Sequence, residues 1–265
     1  MFGISAHMIV KNEDKWVWFA LESILPHVDE IIVTDTGSSD QTIAIIKSIA
    51  SPKIKFSQVP ITTSADVTLI RSQQLKETKT PWAWIIDADE IYPTSTAKEC
   101  LELARGNSSE GVLVRRYDLL GDIYHRQNES VGSYELFGHK GHLLVRLINL
   151  AKLPGLHYRG DYPNEGFFDG KGNSILTHSP SAWPATKNYL YHAMYLKRSS
   201  EGSNLPMFNR SKYKIETGIG IDGIIPEVFS LPRPPLVPDP LVRRSLGYEL
   251  IAQVVTPIKN IKRSL

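Results

Sequence analysis

Asp87-Ala88-Asp89-Glu90 directly follows an apolar run, Trp82-Ala83-Trp84-Ile85-Ile86. In extended chain, residues two apart point to the same side, so Asp87 and Asp89 are expected to converge on one ligand. Paired carboxylates at a strand end suit a hard divalent cation, Mn2+ or Mg2+, which favours oxygen and shares its shell with phosphates. A bare Asp-x-Asp is a weak signal, equally at home in a solvated turn. Behind an apolar strand and three strand–helix units it becomes an expectation of a metal site. Asp35-Thr36-Gly37-Ser38-Ser39-Asp40 is the second polar cluster. An acid at a strand end accepts from a base N–H or a ribose hydroxyl, and the same turn is rich in helix-capping types. Both roles fit, with Asp35 as ligand and Asp40 as cap.

Alternating periods carry these clusters. Ile4 to Val10 is a short apolar run that ends in Lys11-Asn12-Glu13. Val17, Leu21, Ile24 and Val28 recur at helical spacing. Ile31-Ile32-Val33 reads as a buried strand, Ile43, Ile46 and Ile49 as a helix, and Lys53 to Val59 as a strand. A weaker helix covers Asp66 to Thr78 before the Trp82 run. Strands joined in this way by helices pack as a parallel sheet with right-handed crossovers. Ligands then bind beyond the carboxyl ends of the strands, which is where all three polar clusters fall.

Past Tyr92 the pattern loosens. Gly111 to Tyr117 and His142 to Leu150 are expected strands, and Pro154 to Asn173 an acid- and glycine-rich loop. Tyr189, His192 and Leu196 predict an aromatic helix over Ala182 to Ser199. Pro226 to Pro240 holds six of the 17 prolines and reads as an extended arm outside the core. Leu246, Leu250 and Val254 predict a last helix, broken at Pro257 and ending in basic residues. The expected division is a catalytic domain over 1–225, with halves 1–92 and 93–225, and an appendage over 226–265.

The chain has 265 residues, 42% hydrophobic and 22% charged, which excludes wholesale disorder and allows a sizeable core. Its net charge of +2 argues against a nucleic-acid binder driven by bulk charge. The tail from Leu241 has five basic residues against one acid, so it is +4 and the rest is −2. One cysteine, Cys100, allows no internal disulfide and fits a reducing, cytoplasmic setting. The opening residues read as a strand, not a signal peptide, and no apolar run is long enough to span a bilayer. The sequons at Asn107, Asn128 and Asn209 are then chance matches.

Three blocks in order, Met8-Ile9-Val10-Lys11-Asn12-Glu13-Asp14, Val28 through Thr42 with its Asp35-Thr36-Gly37, and Trp84-Ile85-Ile86-Asp87-Ala88-Asp89-Glu90, resemble family-2 glycosyltransferases. The resemblance covers the first third tightly and the rest loosely. It implies a GT-A fold: an α/β, Rossmann-like, mostly parallel sheet flanked by helices, here with a C-terminal extension of helices and a proline-rich arm. It also implies a nucleoside-diphosphate sugar donor, a divalent metal, and inversion at the anomeric carbon. Residue by residue, Val10, Lys11, Asn12 and Glu13 line the nucleotide, and Asp35 and Thr36 meet base and ribose. Arg71 approaches the base or diphosphate, Asp87 and Ala88 stand near ribose and sugar, and Asp89 binds the metal with Asp87. Arg159 to Gly166 resembles the family's Gly-x-Val-His-Glu with its histidine missing, placing Glu165 as catalytic base and Asp161 as its rival. His178 resembles a histidine that completes the metal shell.

The implied function is sugar transfer to a glycan or lipid-linked acceptor hydroxyl. Two rivals are a sugar-nucleotide nucleotidyltransferase, which wants a glycine-rich loop where Val10-Lys11-Asn12-Glu13 has none, and a non-catalytic nucleotide-sugar-binding protein on the same fold. The basic tail could rest on the inner face of an anionic membrane; a helix packed on the catalytic domain or in a dimer is the competing expectation.

Overall fold

This computed structural model describes residues 2–61, 63–106, 108–196 and 213–264. The first half alternates strands and helices: β1 (Ile4–Val10), α1 (Val17–Ile24), β2 (Glu30–Asp35), α2 (Thr42–Ser48), β3 (Ile54–Gln58), α3 (Ser64–Glu77) and β4 (Trp82–Asp87). β5 (Glu90–Ile91), α4 (Thr94–Ala104) and β6 (Gly111–Asp118) follow, then three short strands, β7 (His125–Arg126), β8 (Tyr134–Leu136) and β9 (His139–Gly141). β10 (Leu143–Asn149), β11 (His157–Arg159), β12 (Gly166–Phe168), β13 (Ala185–His192), β14 (Ile219–Gly220) and α5 (Leu246–Ser264) complete the chain.

The main sheet has eight strands in the order β3-β2-β1-β4-β10-β6-β13-β5. β3, β2, β1 and β4 are mutually parallel. β10 runs against both β4 and β6, β13 runs with β6, and β5 runs against β13. Six strands therefore point the same way, and their carboxyl ends share one edge. β4 is buried on both faces, as strands covered by helices on each side must be. Trp84 meets Tyr92 edge-on with ring centres 5.1 Å apart, and Phe19 meets Phe229 in the same way at 5.2 Å.

Several expectations are corrected. Ala182 to Ser199 is not a helix: β13 runs from Ala185 to His192, and 197–199 lie outside the described residues. Leu190, Tyr191 and His192 at the end of β13 are buried in succession, so both faces are covered there, while Lys187 and Asn188 earlier in the strand stay exposed. Burial on both faces erases the two-residue alternation, and the helical spacing of Tyr189, His192 and Leu196 was coincidental. The loop after Pro154 contains a hairpin, β11 with β12. The proline-rich stretch is irregular but not peripheral, since Val228, Phe229 and Val237 join the main core. α5 continues through Pro257. A proline inside a helix costs about 3 kcal/mol. Contacts flanking it hold the helix in line: the Thr217 N–H donates to Thr256 Oγ1 at 2.8 Å, and Arg263 pairs with Glu216 at 2.8 Å. Gly121 (φ +80°) makes that docking possible, because a Cβ there would lie 2.7 Å from the Tyr248 ring and 2.8 Å from Arg244 Cδ. No helix among the described residues is long and apolar enough to cross a membrane. Asn128 sits in an exposed turn, its Oδ1 accepting from the Ser130 N–H at 3.0 Å, while Asn107 and Asn209 lie outside the described residues.

Candidate active site

The ends of β1 and β2 are stitched together before any ligand arrives. Asn12 takes a left-handed φ of 52°, and its Oδ1 accepts from the Ser39 N–H at 2.8 Å. The Asn12 N–H donates to Ser38 Oγ and the Glu13 N–H to Thr42 Oγ1. Asp40 accepts from the Thr42 N–H at 2.9 Å, capping the first turn of α2. Asp35 is fully buried; its Oδ1 accepts from the N–H groups of Gly37 and Ser38 at 3.0 Å each. Its Oδ2 is buried without a hydrogen-bond partner. A buried unsatisfied acceptor is costly, and neither Asp35 nor Asn12 lines the cavity beside this turn.

α3 is clamped beneath this edge. The Gln74 amide is buried and donates to Met8 O at 2.9 Å and Thr34 Oγ1 at 3.1 Å, tying the helix to β1 and β2 together. Arg71 lies one turn earlier on the same face. Its Nε is 3.1 Å from Glu165 Oε1, its guanidinium is 4.0 Å from Asp87 Oδ1, and it faces the Tyr158 ring at 6.0 Å.

Val10, Lys11, Glu13, Thr36, Arg71, Asp87, Ala88 and Asp89 all line one cavity of about 310 Å³ at the carboxyl edge of the sheet. That volume lies in the range of small-molecule sites, roughly 300–1,000 Å³. Asp87 and Asp89 reach it by a turn rather than along an extended strand, with the Asp87 N–H donating back to Glu90 Oε2. They consequently face different partners. Asp87 is held by Arg146, whose Nη2 is 2.7 Å from Oδ2, and by Arg71. Burial opposes its ionisation, yet Arg146, Arg71 and His192 together hold its pKa well below the usual carboxylate range. Asp89 Oδ2 instead lies 3.5 Å from His192 Nε2.

Arg146 escapes sequence reasoning, and His192 enters it only as a residue of the expected aromatic helix. His192 ends β13, in register with Asp118 at the end of β6 and with Glu90 in β5. Its Nδ1 lies 3.0 Å from Asp118 Oδ1, and Asp118 also takes Arg116 Nε at 2.9 Å. Burial works against charge on His192, but Asp89 and Asp118 outweigh it and raise its pKa above the ordinary imidazole value. The signal was there: a histidine closing an aromatic, strand-favouring run, Tyr189-Leu190-Tyr191-His192. Arg146 is the extra residue of a β-bulge between Val145 and Leu147, and the bulge aims it at the site. It is 7% exposed and bridges Asp87 to Glu90, which is fully buried. A lone arginine inside Leu143-Leu144-Val145-Arg146-Leu147-Ile148 had announced a buried acid partner.

His178 stands elsewhere. Its Nδ1 is 2.7 Å from Glu110 Oε2 and its Nε2 is 3.4 Å from Asp169 Oδ2. Glu110 immediately precedes β6, whereas Asp118 ends it. Eight residues of strand at roughly 3.3 Å each separate the two edges, so His178 cannot meet Asp89. Glu165 sits in the β11–β12 hairpin, paired with Arg71 and with its Oε2 buried and without a hydrogen bond. Asp161 is exposed on the same hairpin, next to Tyr162, which lines the cavity.

The family model described as Glycosyl transferase family 2 matches residues 5–159. The SPbeta prophage-derived glycosyltransferase SunS of Bacillus subtilis is 30% identical over 103 residues, covering 38% of this chain and 24% of SunS. The chain thus spans about a quarter of that relative's length. Among solved structures, S. aureus TarS 1–349 in complex with UDP-GlcNAc aligns with a TM-score of 0.51 and 16% identity, over 77% of this chain and 60% of TarS. Glucosyl-3-phosphoglycerate synthase from Mycobacterium tuberculosis, solved with Mn2+ and UDP-glucose, aligns with a TM-score of 0.34 and 26% identity, over 44% of each chain. A sheet order led by β3-β2-β1-β4, polar clusters at its carboxyl edge, and a family match over more than half the residues lead to one assignment: the chain belongs to glycosyl transferase family 2 and has a GT-A fold.

Proposed function

We propose that the chain is a metal-dependent, inverting glycosyltransferase that moves a sugar from a nucleoside-diphosphate sugar to an acceptor hydroxyl in glycan or glycolipid synthesis. The observation that carries this reading is the pairing of Asp89 with His192 in the cavity, 3.5 Å apart. The Asp89 carboxylate suits Mn2+ or Mg2+, the His192 nitrogen favours the less hard Mn2+ of the two, and among the described residues no set of three such side chains completes a shell. Two protein donors leave room for diphosphate oxygens, the usual way a Mg2+-type ion is shared with a substrate. Bound there, the cation would offset the charge that builds on the leaving diphosphate.

The chain's own residues do the rest. A nucleotide that opens the β2 turn would reach Asp35 Oδ2 with a base or ribose donor beside Thr36, which lines the cavity, and the clamped α3 presents Arg71 to the diphosphate. Arg146 and Arg71 keep Asp87 ionised so that it accepts from a donor hydroxyl and fixes the sugar. Glu165 is the proposed base. With Oε1 tied to Arg71, its Oε2 takes the acceptor proton as the hydroxyl oxygen attacks the anomeric carbon. The bond from that carbon to the diphosphate oxygen breaks in the same displacement, which inverts configuration. Asp161 is the alternative base, at the exposed side of the hairpin.

Nucleoside diphosphates, UDP first because TarS is solved with a UDP sugar, are screened for thermal stabilisation with and without Mn2+. The expected result is a stabilisation that needs both, is lost with excess EDTA, and is lost in Asp89→Ala and His192→Ala, each read as a shift from that variant's own unliganded melting point. Equal stabilisation with EDTA present, or sugar transfer by Asp89→Ala, refutes the metal-dependent reading.

A further inference from the structure

α5 is amphipathic in an unusual sense: its two apolar sides point in opposite directions. Tyr248 and Ala252 face the protein and are buried. Leu246, Leu250, Val254, Ile258 and Ile261 are 83%, 65%, 65%, 52% and 61% exposed. At about 100° per residue these five fall within an arc of about 120°, roughly opposite Tyr248 and Ala252. Val242, just before the helix, is also 66% exposed. The inward side is firmly anchored. Arg244 makes a two-pronged pair with Glu249 at 2.7 and 3.1 Å, and Lys259 and Arg263 both pair with Glu216. The helix is therefore docked, and its exposed apolar ridge is not a face that turns inward when the helix seats.

We infer that this ridge lies in the interface of an anionic lipid membrane, with α5 parallel to the bilayer plane. Charge selects this occupant over a second copy of the chain. Exposed Arg243 stands before the helix, and exposed Lys262 lies near its end. Parallel pairing of two ridges sets Lys262 against its own copy, and antiparallel pairing sets it against Arg243. Either arrangement brings cations together, whereas an anionic leaflet complements both ends at once. An apolar ridge flanked by basic residues, on a helix that does not span, is the pattern of interfacial binding.

The test is flotation of the full chain with phosphatidylcholine vesicles and with vesicles that also contain phosphatidylglycerol. The wild type is expected to float only with the anionic vesicles and less at high salt. Leu250→Asp/Val254→Asp/Ile258→Asp is expected to stay at the bottom. Arg243→Gln/Lys262→Gln should partition roughly 25-fold more weakly, about fivefold per cation. The melting point of each variant without vesicles, expected within a few degrees of wild type, shows that it is folded. Absence of wild-type flotation on anionic vesicles, equal flotation of the triple aspartate variant, or a wild-type dimer in sedimentation that the triple variant abolishes would each overturn the inference. The last outcome would assign the ridge to a second copy. None of these readouts depends on sugar transfer, so failure here leaves the proposed reaction standing.

Discussion

Arg146→Met isolates the electrostatic cost of the bulge that points a cation into the cleft. Methionine keeps an unbranched apolar stem and removes the charge together with the hydrogen bonds that the guanidinium donates to Glu90 and Asp87. Two carboxylates lose their partner, but not equally. Asp87 retains Arg71 at 4.0 Å and its side chain is 38% exposed. Glu90 is fully buried, and Arg146 is the cation in contact with it. Removing one member of a buried pair costs about 3–5 kcal/mol, and most of it here falls on Glu90. At about 2–4 °C per kcal/mol for a chain of this size, the melting point drops by roughly 10 °C. Arg146→Met/Glu90→Gln should recover more than half of the loss, because a neutral amide leaves no orphaned charge. Burial already raises the Glu90 pKa despite Arg146 and raises it further in the variant, so the deficit should shrink as pH falls. Urea unfolding followed by tryptophan fluorescence measures all three proteins. A single-variant loss below about 1 kcal/mol, or equal losses in single and double variants, would refute the reasoning.

His7 in β1 supplies a pH effect of known sign. Burial, then Arg71, lower its pKa to about 4 against Glu30, and its Nε2 bonds the Thr78 hydroxyl. The unfolded chain protonates near 6.5, so stability is full above that pH and is lost as pH falls towards 4, by about 3 kcal/mol. His7→Gln should flatten this window in urea titrations at pH 4.5 and 7.5; an unchanged slope assigns it to other groups. Gly121→Ala must meet the Tyr248 ring in a left-handed conformation, and should cost about 1–3 kcal/mol and expose α5 to trypsin. An unchanged digestion pattern would show that α5 docks without this contact.

The first half of the fold was legible because its parallel strands are apolar runs that stop at polar turns, so each run names its own end. Asp35, Asp87 and Asp89 followed from that rule. β13 broke it because its last three residues are buried in succession, where no alternation survives, and a chance helical spacing filled the gap. With β13 lost, His192 lost the strand end that brings it to Asp89, Asp118 stood without a partner at the end of its expected strand, and His178 took a role at the other edge. Arg146 depends on a bulge, which is a feature of pairing between two strands and leaves no mark within either one. The apolar ridge of α5 was readable as a period, but that it faces outward rather than inward is a property of what Arg244 and Glu216 anchor.

Arg71 and Gln74 share one α-helical turn, and the sheet grips the second while the cleft uses the first. A residue inserted between them would rotate one relative to the other by about 100°. Either the amide would leave its carbonyls or the guanidinium would swing out of the pocket. Variation can therefore change the composition of this helix freely along its outer side, but its count between these two positions is fixed by two demands, folding and chemistry, that no single compensating substitution can satisfy together.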